Sequence, residues 1–373
     1  MKNICIILGT RPEAIKLIPI YLELKKHQDI NVQLVSTGQH KSMLKQIFDF
    51  FEIEADVEFD IMKENQTLVE LTSKLFLAIG DYFDKNSFDF VLVQGDTTTA
   101  YVASVVSFYY KYSIAHVEAG LRTYNKYSPF PEEINRKMIG VVADIHFTPT
   151  DTASENLHKE NINANVINVG NSVIDSLILA KNKIYQNEDI YKKYFDFLDE
   201  NRKIVLVTGH RRESFGKGFD NITDAIIEIA NSYENIQIVY PVHLNPNVKD
   251  IVYKKLQNFK NIKLIDPLPY DRLIYLMSKS WIILTDSGGI HEEAPSFNIP
   301  LIVMRDTTER AEGIEAGCSI LAGTQKDSII DAFNKIANNQ DIYKSMSNVS
   351  NPYGDGKTSL KIVEYLLGYK ATE

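Results

Sequence analysis

The sequence predicts an α/β protein built from two doubly wound parallel sheets. Short, continuous apolar runs recur along the chain, and each is followed by a turn signal and then by a segment with helical periodicity. Continuous rather than alternating apolar runs are typical of parallel strands that are covered on both faces. The repeated order of strand, helix and strand indicates doubly wound sheets. A chain of 373 residues is long enough for two such domains.

The predicted strands fall into two groups of five. In the first half they are Ile4–Leu8, Val32–Val35, Phe90–Val93, Ile114–Val117 and Ile145–Phe147. In the second half they are Ile204–Val207, Ile236–Tyr240, Ile262–Ile265, Ile282–Leu284 and Leu301–Val303. Between strands, Thr67 and Glu70 form the sequence signature of a capping box, which predicts that a helix starts there.

Two motifs occur once in each half, which indicates a duplicated architecture. The pattern G-x-R-x-E follows the first strand of both halves, at Gly9–Glu13 and at Gly209–Glu213. Later in each half an acid followed by small residues ends another strand, at Asp96 and at Asp286. Ligands of parallel sheets bind beyond the carboxyl ends of the strands, so we expect these loops to line a cleft between the halves.

The weak patterning of residues 182–202 predicts a hinge within 169–201. We therefore expect a first domain at residues 1–170 and a second at 171–352. A final helix, within about 353–373, is expected to pack back onto the first domain.

Composition and charge exclude several classes of protein. The net charge of −9 disfavours non-specific nucleic-acid binding. Two cysteines far apart in sequence disfavour a disulfide scaffold or a structural zinc site and favour a reducing cytoplasm. The N-terminus lacks the pattern of a signal peptide, and no apolar run is long enough to span a membrane. His291-Glu292-Glu293 is not followed by a histidine at zinc-binding spacing, so we expect neither a metal nor another cofactor.

Two turns have the features of phosphate sites. Gly9 is followed by Arg11 and, about one helical turn later, by Lys16. In the second half, Ser287, Gly288 and Gly289 open a helix that carries Glu293, an acid suited to ribose hydroxyls. A simple strand-to-helix turn with solvated basic residues explains the first segment equally well. For the second, capping of the helix by Ser287 is the alternative.

Arginines follow strand ends repeatedly in the second half. They are Arg211, Arg212, Arg305 and Arg310. Guanidinium groups bind phosphate oxygens in pairs, so arginines gathered at one sheet edge favour a diphosphate ligand.

Three acids are candidates for proton transfer. Asp96 and Glu118 close consecutive strands, and Glu132 starts a predicted helix. Burial can separate the pKa values of neighbouring carboxyl groups, so that one accepts a proton while another donates. The alternative is that they cap helices or pair with Arg122 and Arg136. His210 and His243 follow strands of the second half and are either site or structural histidines.

Taken together, the motifs resemble those of one family. They are G-T-R-P-E-A-I-K, Q-G-D-T-T-T, H-V-E-A-G-L-R-T, P-E-E-x-N-R, G-H-R-R-E-S-F-G, Y-P-V-H-L-N-P-N-V, T-D-S-G-G-I-x-E-E-A-P, R-D-T-T-E-R and N-P-Y-G-D-G, in order from Gly9 to Gly356. This ordered set resembles the non-hydrolysing UDP-N-acetylglucosamine 2-epimerases. The resemblance implies a GT-B-like fold, commonly a homodimer, that interconverts UDP-GlcNAc and UDP-ManNAc without metal or nicotinamide. It also implies elimination of UDP through a 2-acetamidoglucal, with the product supplying a cell-surface polysaccharide.

The resemblance assigns roles to individual residues. It implies catalytic roles for Asp96, Glu118, Glu132 and His210. The residues that it and the arginine pattern place at the substrate are Arg11, Lys16, Arg136, Arg211, Leu268, Leu273, Ser287, Gly288, Gly289, Glu293 and Arg310. His210 is also among the implied UDP contacts.

Some family members are activated by UDP-GlcNAc at a second site. Gln39, His40, Gln66 and His243 match residues associated with that site. Asn65 stands where some members carry an arginine, so activation here is an open question. His291 and Leu268 each replace a glutamine of relatives, which puts fine nucleotide contacts in question but not the reaction. The alternatives are a hydrolysing epimerase, an enzyme acting on a diacetamido uronate, a glycosyltransferase and a catalytically silent UDP-sugar sensor.

Overall fold

The computed structural model describes residues 1–39, 41–63, 66–211 and 214–369. The chain forms two compact units. Unit 1 consists of Met1–Leu179 and Tyr353–Glu373, and unit 2 of Ala180–Pro352. The boundary between the units therefore lies after Leu179, inside the helix Val173–Gln186, and later than the expected boundary at residue 170.

Unit 1 contains a seven-stranded parallel sheet with the order β3-β2-β1-β4-β5-β6-β7. Its strands are β1 (Lys2–Leu8), β2 (Ile30–Ser36), β3 (Val57–Glu58), β4 (Phe90–Gln94), β5 (Ser113–Val117), β6 (Ile145–Thr148) and β7 (Val166–Asn168). Its helices are α1 (Arg11–Leu24), α2 (Lys41–Phe51), α3 (Leu68–Phe83), α4 (Thr98–Tyr109), α5 (Glu132–Val142), α6 (Asp151–Lys159), α7 (Val173–Gln186, which continues into unit 2) and α16 (Thr358–Gly368).

The order of strands places a topological switch point between β1 and β4. The chain winds outward in one direction through β2 and β3, and in the other through β5, β6 and β7. Helices α3, α4 and α5 pack with the sheet in one apolar core, whose residues include Leu75, Val93 and Ile139. The C-terminal helix α16 packs against α1, and Lys2 Nζ donates a 2.6 Å hydrogen bond to the Leu366 carbonyl.

Unit 2 contains a six-stranded parallel sheet with the order β10-β9-β8-β11-β12-β13. Its strands are β8 (Lys203–Thr208), β9 (Ile236–Pro241), β10 (Ile262–Ile265), β11 (Ser280–Thr285), β12 (Leu301–Val303) and β13 (Ser319–Leu321). Its helices are α8 (Glu188–Tyr194), α9 (Lys217–Ser232), α10 (Pro246–Leu256), α11 (Tyr270–Ser278), α12 (Gly288–Glu293), α13 (Glu312–Glu315), α14 (Lys326–Ala337) and α15 (Gln340–Ser347). Its switch point lies between β8 and β11.

The predicted α/β class with two parallel sheets is confirmed. All ten predicted strands form, and the capping box at Thr67 and Glu70 begins α3. The sequence reading missed three short strands, β3, β7 and β13. The polar stretch before Arg202 is largely helical rather than loosely patterned, because Tyr191 and Phe195 stack on Tyr275 at ring distances of 5.4 Å. Within the described part of the chain, no helix combines the length and apolar character needed to cross a membrane.

Candidate active site

The loop after β1 is closed by Glu13. Its buried carboxylate accepts the N–H groups of Gly9 and Thr10 at 3.1 and 2.7 Å, and the hydroxyl of Thr97 at 2.7 Å. Burial raises the pKa of Glu13, although these hydrogen bonds oppose the rise. The acid of the G-x-R-x-E pattern is therefore structural in unit 1, and Arg11 starts α1 at the carboxyl edge of the sheet.

Asp96 follows β4 and is held by Arg136 of α5. Arg136 donates to Asp96 Oδ2 from Nε at 2.9 Å and from a second guanidinium nitrogen. Burial raises the pKa of Asp96, and the charge of Arg136 only partly offsets that rise. The charges of Glu132 and Lys16 also act on this carboxyl group. The predicted acid Glu132 and the predicted cations Lys16 and Arg136 are therefore gathered around Asp96.

Glu118 follows β5 in a left-handed backbone conformation with φ of 62°. That conformation costs a residue other than glycine about 1–3 kcal/mol and is typical of functional positions. Its carboxylate pairs with Lys16 and accepts a hydrogen bond from Gln94. The side chains of Lys16 and Glu118 are 12% and 8% exposed. Glu118 is thus fixed by two partners at the same edge as Asp96.

Glu132 begins α5, as predicted, and is half-buried. Its neighbour Glu133 is fully buried and accepts the N–H groups of Thr123 and Tyr124, each at 3.0 Å. Glu133 is therefore the structural acid of this pair. Of the ion pairs considered as an alternative role for the three acids, the one between Asp96 and Arg136 is present. Arg122 instead pairs with Glu160 at 2.7 Å.

His116 is a residue of this region that the sequence reading did not single out. It is buried on β5, and its Nε2 donates to the Gly95 carbonyl at 2.7 Å. Burial lowers the pKa of His116 to about 3, so the ring stays neutral. Gly95 has a φ of 67°, and a Cβ on it would lie 3.6 Å from Glu118 Oε2. His116 therefore fixes the turn that separates Asp96 from Glu118; its place two residues before Glu118 was the available sequence signal.

In unit 2 the acid after β11, Asp286, accepts hydrogen bonds from backbone N–H groups. Asp286 is buried, and its Oδ2 accepts the N–H groups of His210 and Arg211 at 2.7 and 2.8 Å. Its Oδ1 lies 3.4 Å from His210 Nδ1. Partial burial lowers the pKa of His210, and the charge of Asp286 opposes that change. The rings of His210 and His243 stack at 5.4 Å.

The small-residue turn before α12 lies against an arginine. A Cβ on Gly288 would come within 2.6 Å of the Arg310 guanidinium carbon, so any larger residue there would have to displace that guanidinium group. A Cβ on Gly289 would meet no atom within 4 Å. Ser287 caps α12 by position but makes no side-chain capping hydrogen bond; its N–H donates to Thr285 Oγ1 at 2.9 Å. The capping alternative for Ser287 is therefore not supported.

Arginines converge at this turn on one acid, Glu309. Arg305 Nη1 lies 3.1 Å from Glu309 Oε2, and Arg310 pairs with the same carboxylate. Burial favours the neutral acid, but the charges of Arg310, Arg305 and Arg211 outweigh it and lower the pKa of Glu309 to about 2. The structure therefore gathers three of the four predicted arginines, whereas Arg212 lies outside the described residues.

The remaining substrate candidates of unit 2 are mostly buried. Glu293 lies at the end of α12, Leu268 follows β10, and Leu273 is half-buried in α11. His291 faces the interior, where its Nε2 lies 2.9 Å from Ser319 Oγ and burial lowers its pKa to about 4. At this position, where the resemblance implies a glutamine, the chain has a histidine buried inside unit 2.

The candidates for a second nucleotide site have separate surroundings. Gln39 Oε1 accepts the Thr99 hydroxyl at 3.2 Å beside Gly9. Gln66 Oε1 accepts Lys74 Nζ at 3.1 Å, while its amide nitrogen is buried without a hydrogen-bond partner. His243 is exposed beside His210. His40 and Asn65 lie outside the described residues.

No arrangement of three or more His, Cys, Asp or Glu side chains suited to a metal ion occurs among the residues that the structure describes. The described candidate side chains are carboxylates in unit 1, and guanidinium groups beside a glycine turn in unit 2.

Comparison with known proteins identifies the family. Residues 22–367 match the family model described as UDP-N-acetylglucosamine 2-epimerase. The UDP-N-acetylglucosamine 2-epimerase of Campylobacter jejuni is 48% identical, over 100% of this chain and 99% of its own length. That of Bacillus subtilis strain 168 is 47% identical over 98% and 95%.

A solved structure supports the same assignment. The crystal structure of UDP-GlcNAc 2-epimerase from Neisseria meningitidis bound to UDP-GlcNAc matches with a TM-score of 0.93 and 44% identity, covering 98% of this chain and 100% of that one. The predicted GT-B-like fold and the predicted family are thus confirmed. The chain belongs to the UDP-N-acetylglucosamine 2-epimerase family.

Proposed function

We propose that this protein catalyses the reversible epimerisation of UDP-GlcNAc to UDP-ManNAc at C2 without hydrolysis. Membership of the family supports the epimerase activity. The observation that carries the proposal is the acid site of unit 1, where Asp96, Glu118 and Glu132 share one sheet edge with Lys16 and Arg136. A protein that only bound UDP-sugars would need no such set of acids.

Unit 2 is proposed to hold the nucleotide. The glycine turn at Gly288 and Gly289 admits close approach of a phosphate, and Arg310 and Arg211 supply positive charge. In this proposal Arg11 and His210 also contact UDP, Ser287 contacts the phosphates, Glu293 binds the ribose, and Leu268 and Leu273 contact the uracil. Negative charge grows on UDP as it leaves, so these groups stabilise the transition state more than the ground state.

Unit 1 is proposed to move the proton. One carboxylate takes the proton from C2 while the C1–O bond breaks and its electron pair leaves with UDP, which gives a 2-acetamidoglucal. UDP then adds back to C1 while C2 receives a proton on its opposite face. Asp96, Glu118 and Glu132 share the removal and return, with His210 as a further catalytic candidate. Lys16 and Arg136 hold two of the acids in place.

Product analysis tests this reaction directly. Purified protein incubated with UDP-GlcNAc is expected to give a mixture of UDP-GlcNAc and UDP-ManNAc, resolved by chromatography and phosphorus NMR. Starting material labelled with 18O in the C1–O–P bridge is expected to lose the label from the bridge position as UDP leaves and returns. Free ManNAc with stoichiometric UDP would instead establish a hydrolysing enzyme, and unchanged UDP-GlcNAc would establish a binding protein.

We also propose that UDP-GlcNAc acts at a second site formed with Gln39, His40, Gln66 and His243. The match of these four residues to those associated with a second site in family members supports this proposal. Initial rates measured against UDP-GlcNAc concentration are expected to rise sigmoidally, and a hyperbola would contradict activation. A homodimer, a cytoplasmic location and supply of a surface polysaccharide stay predictions.

A further inference from the structure

Two buried amide side chains of unit 1, those of Gln94 and Asn171, contact the carboxylate of Glu118. Gln94 is the last residue of β4, and its Nε2 donates to Glu118 Oε2. Asn171 lies between β7 and α7, and its Nδ2 donates at 3.4 Å to Glu118 Oε1, the oxygen that also pairs with Lys16. Both oxygens of the carboxylate therefore face an amide donor.

The orientation of each amide follows from its partners. An ionised carboxylate only accepts hydrogen bonds, so the atom of Gln94 that faces Glu118 is the amide nitrogen. The side-chain oxygen of Asn171 accepts the Val173 N–H at 3.0 Å, which leaves the amide nitrogen to face Glu118. The backbone N–H of Asn171 donates to the Tyr353 carbonyl at 2.7 Å. Asn171 is therefore fixed through its backbone and its side chain, and can restrain Glu118 in turn.

The carboxylate of Glu118 needs restraint if it is to act on one substrate atom. A glutamate side chain has several rotatable bonds, so its carboxylate can occupy many positions. Lys16 contacts one oxygen, but its ammonium group ends a flexible chain of its own. Amide donors restrain a carboxylate without adding a second positive charge, which would weaken it further as a proton acceptor.

We propose that Gln94 and Asn171 are positioning residues, which hold the Glu118 carboxylate in the orientation that proton transfer at C2 requires. These roles rest on the proposed function, in which Glu118 belongs to the proton-transfer set. Proton transfer depends on the distance and angle between the exchanging atoms, and a misplacement of ~1 Å costs roughly 100-fold in rate. The Q-G-D segment then supports both strand-end acids, since Gln94 holds Glu118 and Asp96 follows two residues later.

Substitution of Gln94 tests the donor to Oε2. Gln94→Met keeps the length of the side chain but removes its N–H, so we expect kcat to fall by roughly 30-fold while KM for UDP-GlcNAc stays within about threefold. The matched control is Gln33→Met on β2 of the same sheet. Gln33 is half-buried, and its side-chain oxygen accepts a hydrogen bond from Tyr82. Both variants lose a hydrogen bond and should unfold at a lower temperature, but kcat of the control should stay within about twofold of the wild type.

Substitution of Asn171 tests the donor to Oε1. Asn171→Asp keeps the shape of the side chain and the acceptor for the Val173 N–H, but it replaces the donor with a negative charge beside Glu118. We expect kcat to fall at least ~10-fold, again with KM nearly unchanged. The matched control is Asn339→Asp, which keeps the side-chain oxygen that caps α15 in unit 2 and is expected to have normal activity.

Circular dichroism and the unfolding temperature show whether each variant is folded. If Gln94→Met does not fold, Asn171→Asp decides the matter, because its cap at the start of α7 is retained. A wild-type protein without turnover would contradict the proposed function and the positioning roles with it. An active wild type whose kcat is retained within about threefold in the folded Gln94 and Asn171 variants overturns the positioning roles alone. So does a loss of kcat that the two controls share at equal loss of stability.

Discussion

Asp96 and Asp286 occupy equivalent places in the two sheets, since each follows the strand beside the first strand of its unit. In unit 2 the backbone N–H groups of His210 and Arg211, in the first loop, are bonded to Asp286. In unit 1 the first loop binds Glu13 instead, through the N–H groups of Gly9 and Thr10. In the shared G-x-R-x-E pattern, Thr10 occupies the position of His210. Asp96 therefore does not have to bind the loop, and its carboxylate pairs with Arg136 instead.

The comparison shows how one framework supports two chemistries. In unit 1 Glu13 of α1 accepts the hydrogen bonds of the loop N–H groups. Asp96, at the end of β4, is therefore available to face a substrate. In unit 2 the strand-end acid satisfies the loop, and arginines and glycines take the place of acids at the edge. We therefore expect substitutions in unit 1 to change turnover, and substitutions in unit 2 to change nucleotide affinity.

The largest effect is expected for Asp96→Asn. It keeps the shape of the side chain but removes its capacity to exchange a proton, so kcat should fall by roughly 10³-fold. UDP affinity, measured by calorimetry, should stay within about twofold because unit 2 is unchanged. The exposed Asp49→Asn serves as a control of normal activity. Full activity of Asp96→Asn would remove this residue from the proton-transfer set.

In unit 2, glycine substitutions separate two effects on nucleotide binding. Gly288→Ala must displace the Arg310 guanidinium, so we expect both a lower unfolding temperature and UDP affinity weakened by roughly 10–100-fold. Gly289→Ala meets nothing within 4 Å, so the unfolding temperature should hold or rise while UDP affinity still falls. Calorimetry and thermal unfolding measure the pair. Unchanged UDP affinity in both variants would contradict a phosphate site at this turn.

A smaller effect is expected at His116, which positions the turn at Gly95. His116→Gln can place an amide N–H close to the position of Nε2, whereas His116→Asn cannot reach the Gly95 carbonyl. We expect kcat to fall by about 10-fold for the asparagine variant with KM nearly unchanged, and glutamine to restore most of it. Equal loss in both variants, matched by equal loss of stability, would indicate only a packing role.

The smallest effect concerns pH and the stability of unit 2. The pKa of Glu309 is lowered to about 2, below the ~4.3 of an unfolded glutamate. Its ion pairs therefore stabilise the fold above the unfolded pKa, and that contribution is lost as pH falls toward the folded pKa. Glu309→Gln should lower the unfolding temperature by roughly 2–4 °C at neutral pH and by less near pH 3. A difference that does not shrink on acidification would contradict this account.

The sequence predicted the fold well because both sheets are buried and their strands are strongly apolar. It missed β3, β7 and β13 because strands of two or three residues leave almost no pattern. The stretch before Arg202 was misread because its packing depends on Tyr275, which is distant in sequence.

The candidate site was harder to predict than the fold. Asp96 and Asp286 have the same local pattern, an acid after an apolar strand and before small residues, and only the bonds to the first loop distinguish them. His116 was missed because its role depends on the backbone carbonyl of Gly95, in the turn after β4. Arg305 and Arg310 were predicted from position alone, but their convergence on Glu309 required the folded structure.

Exchange with heavy water tests the central claim most directly, since it reports whether the C2 proton is removed and replaced during the reaction. UDP-GlcNAc incubated with the wild-type protein in deuterium oxide should acquire deuterium at C2 in both sugars, as measured by proton NMR and mass spectrometry. Asp96→Asn should slow that exchange in parallel with turnover. Formation of UDP-ManNAc with its C2 hydrogen still protium would contradict the account.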